Sequence, residues 1–217
     1  MKALLIGGLL LLYGGATSAQ DRTYVEIVNP DRIATEAARH QLKYLASCAL
    51  AQGTVLRGSV GEQRYEFPGA MGLAPHWGTR ALSASERRWV SACILARTNA
   101  FGANVLISMR NPDGIHAVLN SQPEELESHT LYEGGFFGDV FAEDAVAFVC
   151  IGADHAADIP ARLARKRVCT HPTDDGSGIT QCGFVSLGLC PTDHPPLVDG
   201  APWPEIIHVW LKGDDPQ

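Results

Sequence analysis

Cys48, Cys93, Cys150, Cys169, Cys182 and Cys190 constrain this chain more than any other feature, because the compartment decides whether they pair, bind metal or react. Residues 1–19 read as an export signal. Lys2 supplies the positive start, Leu4 to Tyr13 an apolar run of ten residues, and Thr17-Ser18-Ala19 a small-residue cleavage site. A membrane span needs about 20 apolar residues, so cleavage is expected, with a mature chain from Gln20 to Gln217. Export, to the periplasm or beyond, puts the thiols in an oxidising space where an even count reads as disulfides. With no cysteine near the cleavage site, no lipid anchor is expected, nor a transmembrane anchor after cleavage.

The spacings of 45, 57, 19, 13 and 8 residues contain no CxxC pair and no CxxCH. Six cysteines allow 15 pairings. Cys48 and Cys93 fall on predicted helices while the other four crowd the last third, which suggests one helix-to-helix bridge and two in the C-terminal part. The 217 residues carry 17 Lys+Arg against 24 Asp+Glu, a formal charge of −7. That balance argues against a nucleic-acid partner, which needs a basic surface to displace counterions.

Residues 20–217 are read as a single α+β domain, with two helices in the N-terminal half packed on mostly antiparallel strands. Thr23 to Val28 is a first strand. Asn29-Pro30-Asp31 then caps a helix over Arg32 to Leu50, with Ile33, Ala37, Leu42, Leu45 and Ala49 on its apolar face. Thr54 to Val60 and Gln63 to Phe67 flank Gly61-Glu62 as a hairpin. Ser83-Ala84-Ser85-Glu86 is a capping box, and the helix behind it holds small residues that let another helix approach; Gly102 is placed to cap its end. Asn111-Pro112-Asp113-Gly114 predicts a second hairpin between 104–109 and 116–119. Little periodicity is visible from Ser121 to Glu143. Ala145 to Ile151 reads as a buried strand, Pro160 to Lys166 as a short helix, residues 167–190 as disulfide-tied strands, and Glu205 to Leu211 as the last strand.

The segments YLASCAL (44–50), YEFPGAMGLAPHW (65–77), SERRWVSACILARTNAFG (85–102) and EGGFFGDVFAE (133–143) resemble an uncharacterised family of exported, disulfide-containing bacterial proteins. The most specific piece is W-V-S-A-C followed by A-R-x-N. The resemblance implies a secreted, disulfide-bonded protein and carries no activity.

No GxSxG, GxxxxGK[ST], HExxH or EF-hand pattern is present. The candidate surface is Gln122 to Asp144, where Glu124, Glu125, Glu127, Glu133, Asp139, Glu143 and Asp144 surround His129 without a local Lys or Arg. Such a group suits Ca²⁺ or acid–base work; the competing reading is a solvated acidic loop whose Phe136, Phe137 and Phe141 plug the core. Gly134, Gly135 and Gly138 around the aromatics would let backbone approach a ligand. His155, His171 and His194 are the candidate zinc ligands, although no spacing supports them and no cofactor is expected. Trp77 beside His76 either lines a small-molecule or glycan cleft or ties its loop to the core. Arg162, Arg165, Lys166 and Arg167 read as a solvated basic face. The functional expectation is a binding or structural domain for a small molecule, glycan or extracellular protein. The alternative is a secreted hydrolase using Glu133, Asp139 and His129.

Overall fold

Ser83 opens the helix around which the other elements are arranged. In the computed structural model, which describes residues 22–27, 29–111, 114–156 and 167–213, the Ser83 hydroxyl accepts from the Glu86 amide at 3.2 Å. The Glu86 carboxylate accepts in return from the Ser83 amide at 2.8 Å, so the expected capping box forms. Arg80 grips the same carboxylate through two bonds of 2.7 Å. Hydrogen bonds from Arg80 and then Ser83 hold the Glu86 carboxyl at about 2. Its contribution to stability is therefore kept above the unfolded value near 4.5 and lost only as pH falls towards 2.

The helix so begun is Ala84–Arg97, here α2, preceded in the chain by α1, Glu36–Ala49. Ser91, Ala92, Cys93 and Ala96 are all buried, and these small side chains let α1 close on α2 until Cys48 and Cys93 join with Cα atoms 5.9 Å apart. The single helix expected over Arg32 to Leu50 is split. Asn29 caps a short 3-10 turn, Pro30–Ile33, and Thr35 then accepts from the Ala38 amide at 3.1 Å to start α1 afresh. A second capping residue six positions after the first restarts the helix in a new direction. At the far end α2 stops at Thr98, and Gly102 (φ +60°) serves the following turn rather than the helix cap.

Among the described residues ten strands build three sheets, giving the α+β class read from the sequence. β1 (Thr23–Glu26), β2 (Thr54–Val60) and β3 (Gln63–Pro68) form one sheet, with β1 parallel to β2 and the expected β2–β3 hairpin turning at Gly61-Glu62. β4 (Ile107–Arg110), β5 (Leu131–Asp139), β6 (Val146–Ile151), β7 (Val185–Leu189) and β10 (Ile207–Leu211) form the larger sheet in the order β4-β10-β5-β6-β7. Only its β6–β7 pair is parallel. β8 (Leu197–Val198) and β9 (Ala201–Pro202) make a small ribbon. Besides Cys48–Cys93, bridges join Cys150 to Cys190 and Cys169 to Cys182, the grouping suggested by the sequence.

Two expectations are corrected. The hairpin expected around Asn111 lacks its second strand: the Gly114 amide donates to the Asn111 carbonyl at 3.3 Å, but residues 117–119 form a 3-10 turn, and β4 pairs instead with β10. The Asn111 side-chain amide donates to the carbonyl of Ile206, the residue before β10, at 3.2 Å. The segment with little periodicity is a short helix, α3 (Pro123–Ser128), followed by β5, an inner strand of the large sheet. Its glycines serve the sheet rather than a ligand. At Gly134 (φ +155°) and Gly138 (φ +150°) a Cβ would lie 2.2 Å from the carbonyl oxygens of Cys150 and Val146 on β6. Only glycine lets the two backbones pair there. The helix expected at 160–166 lies outside the described residues; α4 (Ala153–Ala156) precedes it.

The middle of the large sheet is covered on both faces. Phe136, Val149, Ile207, Val209 and Leu211 pack against α2, with Trp89, Val90 and Leu95. Phe137, Cys150 and Ile206 face the opposite way, towards Trp203, Val198 and Cys190. A second, smaller core of Ile33, Ala46, Leu50, Leu56 and Phe67 lies between α1 and the three-stranded sheet.

Candidate functional site

The three residues proposed for acid–base work are not brought together. Glu133 and Asp139 sit at opposite ends of β5, six residues or roughly 20 Å apart along the strand. His129 caps the C-terminus of α3, its Nδ1 3.0 Å from the Ser128 hydroxyl and its carbonyl accepting from Arg110 at 2.7 Å. Asp139 lies 3.4 Å from Arg87 and accepts from the Phe141 amide at 3.0 Å, holding the first turns of α2 on the sheet end. Glu124, Glu127, Glu143 and Asp144 are exposed, as the solvated-acid reading expects, whereas Phe136 and Phe137 are wholly buried.

Glu133 is buried for a different purpose. The β5–β10 register slips between Val209 and Trp210, which face Gly134 and Tyr132, so Glu133 is the extra residue of a bulge. A bulge turns its side chain away from the regular alternation. The Glu133 carboxylate thereby meets Arg167, whose Nε lies 2.8 Å from both oxygens and bonds to Oε1. Arg167 also donates to the Ala96 carbonyl at 2.6 Å, in the last turn of α2. The basic run around Arg167 suggests a solvated face; the structure instead places Arg167 at 1% exposure, paired with this buried carboxylate. Burial pushes the Glu133 carboxyl above its ordinary range, against the pull of Arg167. Arg162, Arg165 and Lys166 lie outside the described residues.

All six cysteines are consumed in disulfides, which removes them as metal ligands. His155 lies outside the described side chains, and His194 is exposed, with Nδ1 2.7 Å from the Pro195 carbonyl. Among the described residues no group of three or more His, Cys, Asp and Glu side chains is arranged to hold a metal ion. No helix among them is long and apolar enough to cross a membrane.

What the fold does create is a cleft of about 1700 Å³. Its walls are α1, the start of the small sheet, the last turn of α2 and the stretch 99–107. Leu42 and Leu45, placed on the core face of α1 by their spacing, are only half buried; the residues that α1 inserts are Ala46, Cys48 and Ala49. That offset leaves the two leucines lining the cleft, opposite Val25, Ile27, Val105 and Leu106. Trp77 packs on the two cores and also lines the cleft. Asn99 shapes the mouth: its side-chain oxygen accepts from the Phe101 and Ala103 amides at 3.0 and 3.1 Å, and its amide donates to the Ala103 carbonyl at 2.7 Å. The turn so fixed leaves Leu106 79% exposed at the rim and Phe101 exposed just before it.

Two arginines reach the cleft from the end of α2. Arg167 stands at the back, its charge met by Glu133. Arg97 is half buried, and its guanidinium donates to the Ser47 hydroxyl at 2.9 Å. Burial draws the Arg97 guanidinium below its ordinary range while Tyr44 opposes the shift. The space is open and mixed in character: Leu42, Leu45, Val105 and Leu106 supply apolar wall, while Asp31, Arg32, Lys43, Arg97 and Asn99 edge it. Sequence reasoning missed it because the cleft joins residues from stretches spread between Val25 and Arg167; the one signal was a leucine pair on α1. Comparison with known proteins adds no assignment, since no family model, curated protein or solved structure matches the chain.

Proposed function

We propose that the protein is an exported, disulfide-stapled binding module that takes an elongated apolar small molecule into the cleft between α1 and the 99–107 stretch. The observation that carries this reading is the cleft itself: about 1700 Å³, walled by Leu42, Leu45, Val105 and Trp77 and open to solvent. Apolar surface left facing water on this scale is a standing driving force for a ligand, at about 25 cal/mol per Å² covered. The three disulfides agree with life in an oxidising compartment, as the N-terminal segment suggests. A glycan is the weaker fit, because aliphatic side chains outnumber aromatic ones on the walls.

Titration with the uncharged fluorophore N-phenyl-1-naphthylamine tests the proposal. Saturable binding with a blue-shifted emission is expected, at a stoichiometry of one. Ala38 is half exposed on the cleft side of α1, so Ala38→Trp fills the space without emptying a core. That variant is expected to bind at least tenfold more weakly while its melting temperature stays within a few degrees. Absence of saturable binding, or equal binding by the variant, overturns the reading.

A further inference from the structure

We infer that the cleft selects an aliphatic chain with an anionic head, carboxylate or phosphate, and that Arg97 receives the head. The inference rests on the binding reading above and adds the ligand class. Its first support is the state of Arg97. Arg167 is wholly buried and matched by the Glu133 carboxylate, whereas Arg97 is half buried and keeps unbonded guanidinium nitrogens accessible at the cleft wall. Arg97 has no carboxylate partner among the described residues; the one bond its side chain makes is to a neutral hydroxyl, Ser47. Among the described residues its other N–H groups meet no protein acceptor; water reaches them, and their fork geometry suits two oxygens of one anion.

The second support is charge complementarity. On a chain of formal charge −7, the described lining carries Arg32, Lys43, Arg97 and Arg167 against Glu26 and Asp31. Glu26 is itself paired with Arg57, and Arg167 with Glu133. What faces the cleft is thus locally positive within an acidic protein, and it steers anions towards that wall while the remaining surface repels them. The third is relative position. Arg97 stands in the last turn of α2, while Leu42, Leu45, Val105 and Leu106 supply aliphatic surface around it. Head and tail requirements are met in one cavity.

Calorimetric titration of the disulfide-intact protein at pH 7 with decanoate, decyl phosphate, 1-decanol and decyltrimethylammonium tests this. Decanoate or decyl phosphate is expected to bind at least tenfold more tightly than 1-decanol, the preferred anion identifying the head as carboxylate or phosphate, and the cationic analogue more weakly than either. Arg97→Met is expected to bring the anion-to-alcohol affinity ratio to near one, whereas Arg97→Lys keeps part of the preference. An anion-to-alcohol ratio near one in the unaltered protein overturns the inference even if Arg97→Met fails to fold. So does a preference that survives Arg97→Met. Binding of 1-decanol without an anion preference refutes this step and leaves the apolar cleft standing; failure of all four probes removes both.

Discussion

Arg167→Met is expected to lower the unfolding free energy by about 3 to 5 kcal/mol at neutral pH, the usual result of stripping the partner from a wholly buried charge. Glu133 cannot turn to solvent. It is 0% exposed, held by a bulge between paired strands, with the last turn of α2 above it. The loss is expected to depend on pH in a defined direction. Burial already raises the Glu133 carboxyl against the pull of Arg167, and removing the guanidinium leaves burial unopposed. The folded variant then retains a proton that the unfolded chain gives up. Its stability is greatest at or below the unfolded carboxylate range and falls by about 1.4 kcal/mol per pH unit above it, until the buried carboxyl ionises. Urea unfolding at pH 5 and pH 8 checks the sign. The double substitution Glu133→Leu with Arg167→Met is expected to recover most of the loss, because an apolar pair needs no counter-charge. A loss below about 1 kcal/mol that does not change with pH contradicts the burial of this pair.

The second large effect is expected from the bridge between the helices. Cys48–Cys93 closes 45 residues, and the chain-entropy estimate for that loop is about 4 kcal/mol, against about 3 kcal/mol for the 13 residues closed by Cys169–Cys182. Both Cys48 and Cys93 are fully buried, and their bond fastens α1, which carries the smaller core and one cleft wall, to α2 on the large sheet. Replacing both residues with Ala is therefore expected to cost about 4 kcal/mol in urea unfolding and to weaken probe binding in the cleft. Replacing Cys169 and Cys182 is expected to cost less. If the shorter bridge matters more, the α1–α2 contact holds without its cross-link.

The parts of this fold that could be read in the sequence are those set by neighbours in the chain. Ser83 and Glu86 are three residues apart, and Gly61-Glu62 joins strands that touch each other. The grouping of the disulfides was also legible, because Cys48 and Cys93 each lie on a helix. The failures share a cause in long-range pairing. β4 finds its partner about a hundred residues later in β10, so a strong local turn at Asn111 misdirects attention to residues 116–119. β5 carries Gly and acidic residues that strand propensity disfavours, yet it lies inside the sheet because Gly134 and Gly138 clear space for β6. Arg167 sits in a basic run whose context suggests solvent, and only the bulge at Glu133 explains its burial. The site was less legible than the fold. Leu42 and Leu45 were recognisable as an apolar pair, but their partial burial, against the cores on one side and the cleft on the other, is set by the packing of distant elements.

The most direct measurement of the central claim is to place a photoreactive alkane in the protein and find where it reacts. A diazirine-bearing decane, irradiated with the disulfide-intact chain and mapped by peptide mass spectrometry, is expected to label α1 around Leu42 and Leu45 and the stretch around Val105 and Leu106. Excess 1-decanol is expected to suppress that labelling. Labelling that instead follows exposed apolar side chains such as Leu187 and Leu189 on β7, with the cleft unmarked, contradicts the account.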